Sequence, residues 1–173
     1  GSEMCIRDRI KGVFKTKTRL GGTADAFMCY LLERGMRTLH ARMPIHASNS
    51  SELARRMQEH PEISAVNHPS LESYPDYEVA KRIVPKGTGM LSFVVKGGDE
   101  RAMRFVRALD IIFEATSLGG IESLVSCPFN TSDIFVPEED RLEAGIVPGF
   151  VRMSVGIEDV DDLWSDIEQA LLA

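Results

Sequence analysis

Hydrophobic and polar positions in the first third of the chain follow a helical period. Over residues 23–43 the apolar positions recur three and four residues apart, which predicts an amphipathic helix of the kind that packs in a core or a domain interface. Pro44 is expected to end or kink this helix because it lacks a backbone N–H. Asn49, followed three residues later by Glu52, predicts the cap of a second helix over residues 50–59. The predicted apolar stripe consists of Met28, Leu32, Met36, Leu39 and Met43.

The remaining chain alternates between short strands and helices. Residues 117–133 form the longest polar, non-periodic stretch in this part. The overall pattern predicts an α+β fold, in which a small, mostly antiparallel sheet is covered by helices and preceded by the long amphipathic helix. The spacing predicts strands at residues 63–67, 90–96, 111–116 and 150–157, and helices at residues 77–83, 99–109, 137–144 and 159–172.

Composition narrows the class of protein. The 173 residues include 26 acidic and 20 basic side chains, giving a net charge of −6, and this acidic balance argues against nucleic-acid binding. No apolar run reaches the roughly 20 residues of a membrane helix. Three scattered cysteines are too few for a disulfide framework, so we expect a cytoplasmic protein.

The N-terminal residues 1–9 have features of an artefact. Gly1-Ser2 is typical of a residual expression tag, and residues 3–9 resemble the translation of a sequencing-library adapter. The alternative for residues 3–9 is a short native helix start. If the adapter interpretation holds, the biological sequence begins near Ile10.

The candidate chemical groups are few. The four histidines are dispersed and are expected to be solvated or capping, while Cys29 is expected in the core. The carboxylates at Glu158, Asp159, Asp161 and Asp162 are interpreted as helix-end electrostatics.

Arg152 stands out because it interrupts an apolar strand. Strand alternation places Val151 and Met153 on one face and Arg152 on the other. A buried guanidinium needs a partner, and its planar fork suits a bidentate carboxylate. That carboxylate is either a protein side chain, giving a structural salt bridge, or a ligand.

Several motifs in matching order carry a family resemblance over residues 21–173. They are SLGGIESL from Ser117, VRMSVGIE from Val151, YLLERGMRTL from Tyr30, GMLSF from Gly89 and EDVDDL from Glu158. Together they resemble the C-terminal domain of the Cys/Met-metabolism pyridoxal-phosphate (PLP) enzymes, of the cystathionine γ-synthase, cystathionine γ-lyase and methionine γ-lyase type. The resemblance implies the C-terminal domain of an aspartate-aminotransferase-like PLP fold.

The resemblance also implies a domain organisation. Residues 10–22 correspond to a remnant of the large domain or a linker, residues 23–60 to a long interdomain helix region, and residues 61–173 to the small substrate-binding domain. A large N-terminal domain and a homotetrameric parent enzyme are expected as partners.

The resemblance assigns three substrate-binding residues. Arg152 matches the arginine that binds the substrate α-carboxylate, and Ser117 matches the serine beside the Schiff-base lysine. Glu122 matches a position near the distal end of the substrate, with a plain surface carboxylate as the alternative. Asp133 stands where family members often carry His, so the local substrate contacts are expected to differ from theirs.

The implied function is β- or γ-elimination or replacement on sulfur amino acids or an activated homoserine, with pyridoxal 5′-phosphate as the parent's cofactor. The Schiff-base lysine has no counterpart in the chain, so we expect the chain by itself to bind PLP unstably and to be inactive. The alternative is a freestanding, non-catalytic α+β binding or interaction module.

Overall fold

The computed structural model describes residues 3–173, with side chains described from residue 9 onward except at residue 11. The chain divides into two compact units, Gly1–His40 and Ala41–Ala173. The functional division at residues 10, 23 and 61 stays a prediction.

The first unit contains helices α1 (Glu3–Leu20) and α2 (Ala26–Met36). Gly21 follows α1 with a φ of +72°, the left-handed conformation that glycine adopts readily after a helix. The Asp25 carboxylate caps α2 by accepting the Met28 backbone N–H at 2.8 Å. Gly1-Ser2, the first part of the segment interpreted as an artefact, lies outside the described residues. The remaining residues of that segment lie in α1, and a helical conformation does not test whether they are native.

Helix α3 (Leu39–Gln58) differs from the predicted pair of helices. The stretch predicted as one helix over residues 23–43 is interrupted after Met36, and α3 continues through Pro44 instead of ending there. Asn49 lies inside α3 and does not cap it. Its buried amide donates to the backbone carbonyls of Gly156 at 3.2 Å and Glu158 at 2.8 Å. These tertiary bonds support the helix beyond the proline.

Five strands form one sheet in the order β1-β2-β5-β4-β3. All neighbours are antiparallel except β3 and β4, which are parallel, so the predicted mostly antiparallel sheet is confirmed. The strands are β1 (Ile63–Asn67), β2 (Met90–Val95), β3 (Phe113–Glu114), β4 (Leu124–Ser126) and β5 (Phe150–Ser154). The prediction missed β4, which lies within the polar stretch of residues 117–133.

Four further α-helices and a short 3₁₀ turn at Pro128–Asn130 complete the described fold. The Asp159 side chain caps the last helix by accepting the Asp161 backbone N–H at 2.9 Å, as its sequence predicts. The helices are α4 (Tyr77–Ile83), α5 (Gly98–Ala108), α6 (Glu138–Glu143) and α7 (Val160–Leu172).

The core lies between one face of the sheet and helices α3, α5 and α7. Val151 and Met153 of β5 are fully buried there, as the strand alternation predicts. The other large side chains of this core include Leu53, Met57, Phe93, Phe105, Leu163 and Ile167.

The predicted apolar stripe is exposed in the described structure. Met28 is 58% exposed and Leu32 is 67% exposed. Cys29, which was expected in the core, is also exposed, as are the other residues of α2. None of the helices in the described part of the chain combines the length and the apolarity needed to cross a membrane.

Candidate substrate-carboxylate site

A row of polar side chains crosses the sheet on the face opposite the core. Register pairs Asn67 of β1 with Ser92 of β2, Ser92 with Arg152 of β5, and Arg152 with Ser126 of β4. Because side chains alternate between faces along each strand, the buried neighbours of these residues point to the core. Asn67, Ser92 and Arg152 are exposed or partly exposed on this face and are available to a ligand, whereas Ser126 is buried.

Within the described residues, Arg152 binds backbone carbonyls and has no carboxylate partner. Its Nη2 donates to the carbonyls of Thr116 and Ser117, each at 2.9 Å. Its Nε is shielded from solvent and is the one buried side-chain polar atom without a hydrogen-bond partner among the described residues. A guanidinium carries five N–H donors, so donors remain for an incoming anion. No ion pair within the described range includes Arg152, so the structural salt bridge, one of the two alternatives, is not formed there.

The segment 117–123, called here the 117–123 loop, lies against β5 and the turn that follows it. The Gly119 N–H donates to Ser154 Oγ at 3.2 Å, and the Ile157 N–H donates to the Ile121 carbonyl at 2.9 Å. The loop carries two of the three predicted site residues, so β5 supplies both Arg152 and the support for its neighbours.

Ser117 lies directly beside Arg152, whereas Glu122 lies further along the loop. The bond from Arg152 reaches the backbone carbonyl of Ser117, and the rest of that residue is exposed. The exposed Glu122 carboxylate lies against the backbone at Gly120, close enough that a Cβ there would be only 2.7 Å from its Cδ. The structure thus joins Arg152 with Ser117 and places Glu122 near the other end of the same loop.

A cleft of about 820 Å³ opens beside the polar row. Arg152, Ser92 and Asn67 form part of its wall, and Tyr74 and Asp133 line it as well. The cleft offers a guanidinium and polar groups, which fit a carboxylate. Its lining includes no lysine, the side chain to which PLP attaches, so the residues of this cleft fit the binding of a carboxylate and not the attachment of the cofactor.

Sequence reasoning missed the buried polar contacts of two histidines. His46 and His68 were expected to be solvated or capping, but they are 4% and 0% exposed. The Nδ1 of His46 lies 2.7 Å from the Val155 carbonyl. Burial lowers the pKa of His68, against a smaller opposing effect of its hydrogen bond to the Thr88 carbonyl. No periodic pattern signals these roles, because both histidines are buried by contacts distant in sequence.

Glu158 and Asp161 also do more than stabilise a helix end. The Glu158 carboxylate binds Ser123 twice, with its backbone N–H at 2.6 Å and its hydroxyl at 2.8 Å. Asp161 forms an ion pair with Arg56 at 2.7 Å. The sequence gives no local signal for the Glu158 contact, since Ser123 lies 35 residues away.

Other candidate chemistry is limited. Burial raises the pKa of the Cys127 thiol to about 12, which leaves it a poor nucleophile at neutral pH. In the portion of the chain that the structure describes, no three His, Cys, Asp or Glu side chains are arranged to hold a metal ion.

Comparison with known proteins decides the family. The family model described as "Cys/Met metabolism PLP-dependent enzyme" matches residues 5–172. The chain belongs to this family. Its members use PLP, so the expected cofactor of the parent enzyme is confirmed at the level of the family.

Relatives in the family are much longer than this chain. A cystathionine γ-lyase from Dictyostelium discoideum is 39% identical over 152 residues, covering 88% of this chain and 39% of the relative. An L-methionine γ-lyase from Pseudomonas putida is 37% identical over 174 residues, covering 100% of this chain and 43% of the relative. The chain therefore spans about two fifths of the length of these relatives.

A solved structure supports the fold. The crystal structure of cystathionine γ-lyase from Lactobacillus plantarum complexed with L-serine matches with a TM-score of 0.82 and 32% identity, covering 89% of this chain and 40% of that one. The predicted α+β fold of the aspartate-aminotransferase-like PLP type is confirmed.

Proposed function

We propose that this chain supplies the α-carboxylate-binding side of a PLP-dependent enzyme that catalyses β- or γ-elimination or replacement on sulfur amino acids or activated homoserine. The observation that carries the proposal is the Arg152 guanidinium, whose buried Nε has no partner at the wall of an open cleft. An unpaired buried donor on a cation costs free energy, and a bound carboxylate removes that cost.

Arg152 acts by binding and orientation. A planar guanidinium that receives the substrate carboxylate fixes the amino acid about its Cα, which sets the direction of the bond to be broken. When PLP is bound in the intact enzyme, it supplies the electron sink for that bond cleavage. The residues of this chain hold the substrate in place for that chemistry.

The two loop residues take supporting roles in this proposal. Ser117 holds Arg152 through its carbonyl and presents its exposed hydroxyl beside the carboxylate site. Glu122, which is exposed further along the loop, influences specificity at the distal end of the substrate. A carboxylate at that position favours a substrate with a distal ammonium group, as cystathionine has.

The intact assembly is part of the same proposal. A large N-terminal domain that carries the Schiff-base lysine, a homotetramer and a cytoplasmic location are what membership of this family leads us to expect. The lengths of the relatives support the first of these, because they extend well beyond the matched region.

A titration of the chain tests the carboxylate site. The Nε–H resonance of Arg152 is followed by ¹⁵N–¹H NMR while L-methionine is added, and L-methioninol, which lacks the carboxylate, serves as the matched ligand control. We expect L-methionine alone to shift this resonance. Replacing Arg152 by Gln should weaken L-methionine binding at least about tenfold. Equal binding of both ligands, or unchanged affinity in the variant, would favour the non-catalytic binding module instead.

A further inference from the structure

The front of the 117–123 loop is attached to β5. Arg152 Nη2 donates to the Ser117 carbonyl at 2.9 Å, and the Gly119 N–H donates to Ser154 Oγ at 3.2 Å. Arg152 is therefore both the proposed substrate ligand and a contact of the loop. Any displacement of the loop changes which guanidinium donors are free.

The rear of the loop is attached to Glu158. Its Oε1 accepts the Ser123 backbone N–H at 2.6 Å, and its Oε2 accepts the Ser123 hydroxyl at 2.8 Å. The same hydroxyl accepts the Gly156 N–H at 2.8 Å. Ser123 is fully buried, so water does not replace these bonds. Two charge-assisted bonds to one residue fix both the position and the orientation of the loop end.

Glu158 itself is anchored from the other side. Its backbone carbonyl accepts the Asn49 amide of α3 at 2.8 Å, which ties the residue to the helical layer. Glu158 does not line the cleft beside Arg152. The side chain is thus built into the support of the loop and lies outside the surface that a substrate would touch.

We propose that Glu158 is a positioning residue: its carboxylate holds the 117–123 loop in register with Arg152 and so sets the affinity for the substrate carboxylate. The proposal rests on the proposed role of Arg152 as the carboxylate ligand. When Ser123 is released, the loop moves relative to β5, and its carbonyls at Thr116 and Ser117 no longer hold the guanidinium in the orientation that a carboxylate needs.

The test is the L-methionine titration of the full chain with variants at both ends of the contact. Glu158→Gln replaces one acceptor oxygen by a donor that faces Ser123, and Ser123→Ala removes the hydroxyl while keeping the carboxylate. We expect each to weaken L-methionine binding about tenfold and to shift the Arg152 Nε–H resonance of the free protein. The double variant should bind less than additively worse than the single ones, since both variants weaken the Glu158–Ser123 contact.

Asp162→Asn is the matched control, because it removes one negative charge from the same acidic turn at an exposed position. It should leave both the affinity and the Arg152 resonance unchanged. If Glu158→Gln loses the dispersed NMR spectrum of a folded chain, Ser123→Ala decides the question. Unchanged affinity in Ser123→Ala then contradicts the positioning role.

The two proposals fail in different ways. If Arg152→Gln leaves L-methionine affinity unchanged, the carboxylate site itself is wrong. If Arg152→Gln weakens binding while Glu158→Gln and Ser123→Ala behave like Asp162→Asn, the carboxylate site stands and the positioning role of Glu158 is wrong.

Discussion

His68 is fully buried, and polar groups lie within hydrogen-bond distance of both ring nitrogens. Its Nδ1 lies 2.7 Å from Ser70 Oγ and 3.2 Å from the Ser70 backbone nitrogen, and its Nε2 lies 3.3 Å from the Thr88 carbonyl oxygen. Burial disfavours the charged imidazolium and so lowers the pKa of this side chain.

This geometry predicts a loss of stability in acid. Because the folded pKa of His68 lies below its ordinary value of 6.5, its contribution to stability is complete above that pH and is lost as the pH falls through the folded pKa. The free energy of unfolding should therefore decrease below about pH 6.5, as measured by urea denaturation across the pH range. His68→Gln should flatten this dependence, whereas His40→Gln, at an exposed position, should not. Parallel pH curves for the chain and for His68→Gln would contradict the prediction.

Residues differ in how much of their role the local sequence reveals. Arg152 was predictable because the apolar residues beside it define the strand's two faces, and an arginine between them needs a partner. The partner itself was less predictable. A protein carboxylate was one of the alternatives, but Nη2 binds two backbone carbonyls and the buried Nε has no partner. Glu158 and His68 gave no signal because their partners depend on tertiary contacts.

Helix α3 is supported by tertiary contacts that its local sequence does not predict. Asn49 donates its amide to two backbone carbonyls in the turn after β5. We expect Asn49→Ala to lower the free energy of unfolding by about 2 kcal/mol, because it leaves buried acceptors unpaired. Ser48→Ala, at the adjacent exposed position, is the control for a change in helix propensity. Denaturant titrations in which both variants show equal stability would contradict this role.

The turn after β5 approaches the 117–123 loop too closely for a side chain. A Cβ on Gly156 would lie 2.7 Å from the carbonyl carbon of Glu122, and backbone atoms cannot move aside cheaply. Gly156→Ala should lower the free energy of unfolding by about 1–3 kcal/mol and weaken L-methionine binding. Gly35→Ala in α2 meets nothing within 4 Å, so it should cause neither effect. Normal stability and affinity in Gly156→Ala would show that the loop can shift freely.

At the scale of elements, length decided what was predictable. Strands β1, β2 and β5 have enough alternating residues to define a period, and helix α7 has a recognisable cap. Strand β4 has only three residues, which are too few to define a period, and it lies in a polar stretch. Its pairing with β5 is a tertiary contact that the local sequence does not indicate. Pro44 predicted a helix end or a kink from local propensity alone, and α3 continues through it with buried contacts of His46 and Asn49 beyond the proline.

At the level of the whole sheet, the two faces differ, and the proposed site lies on one of them. One face packs against helices α3, α5 and α7, and the other carries the polar row and the cleft beside it. This division matters for the proposed function, because the proposed substrate-binding residues lie on the face opposite the core or on the loop beside it. The motifs indicated the family in sequence, whereas the free Nε and the Glu158 contact required the structure.

The proposed function makes this chain the carboxylate-binding side of a working PLP enzyme. To test this, the matching region of the Lactobacillus plantarum cystathionine γ-lyase is replaced by residues 23–173 of this chain. The release of α-keto acid from L-cystathionine by this chimera is then measured. We predict a PLP-loaded, active chimera in which Arg152→Lys lowers kcat/KM about 100-fold and Asp162→Asn has no effect. A folded, PLP-loaded chimera that releases no α-keto acid, or one whose activity survives Arg152→Lys, would contradict the claim.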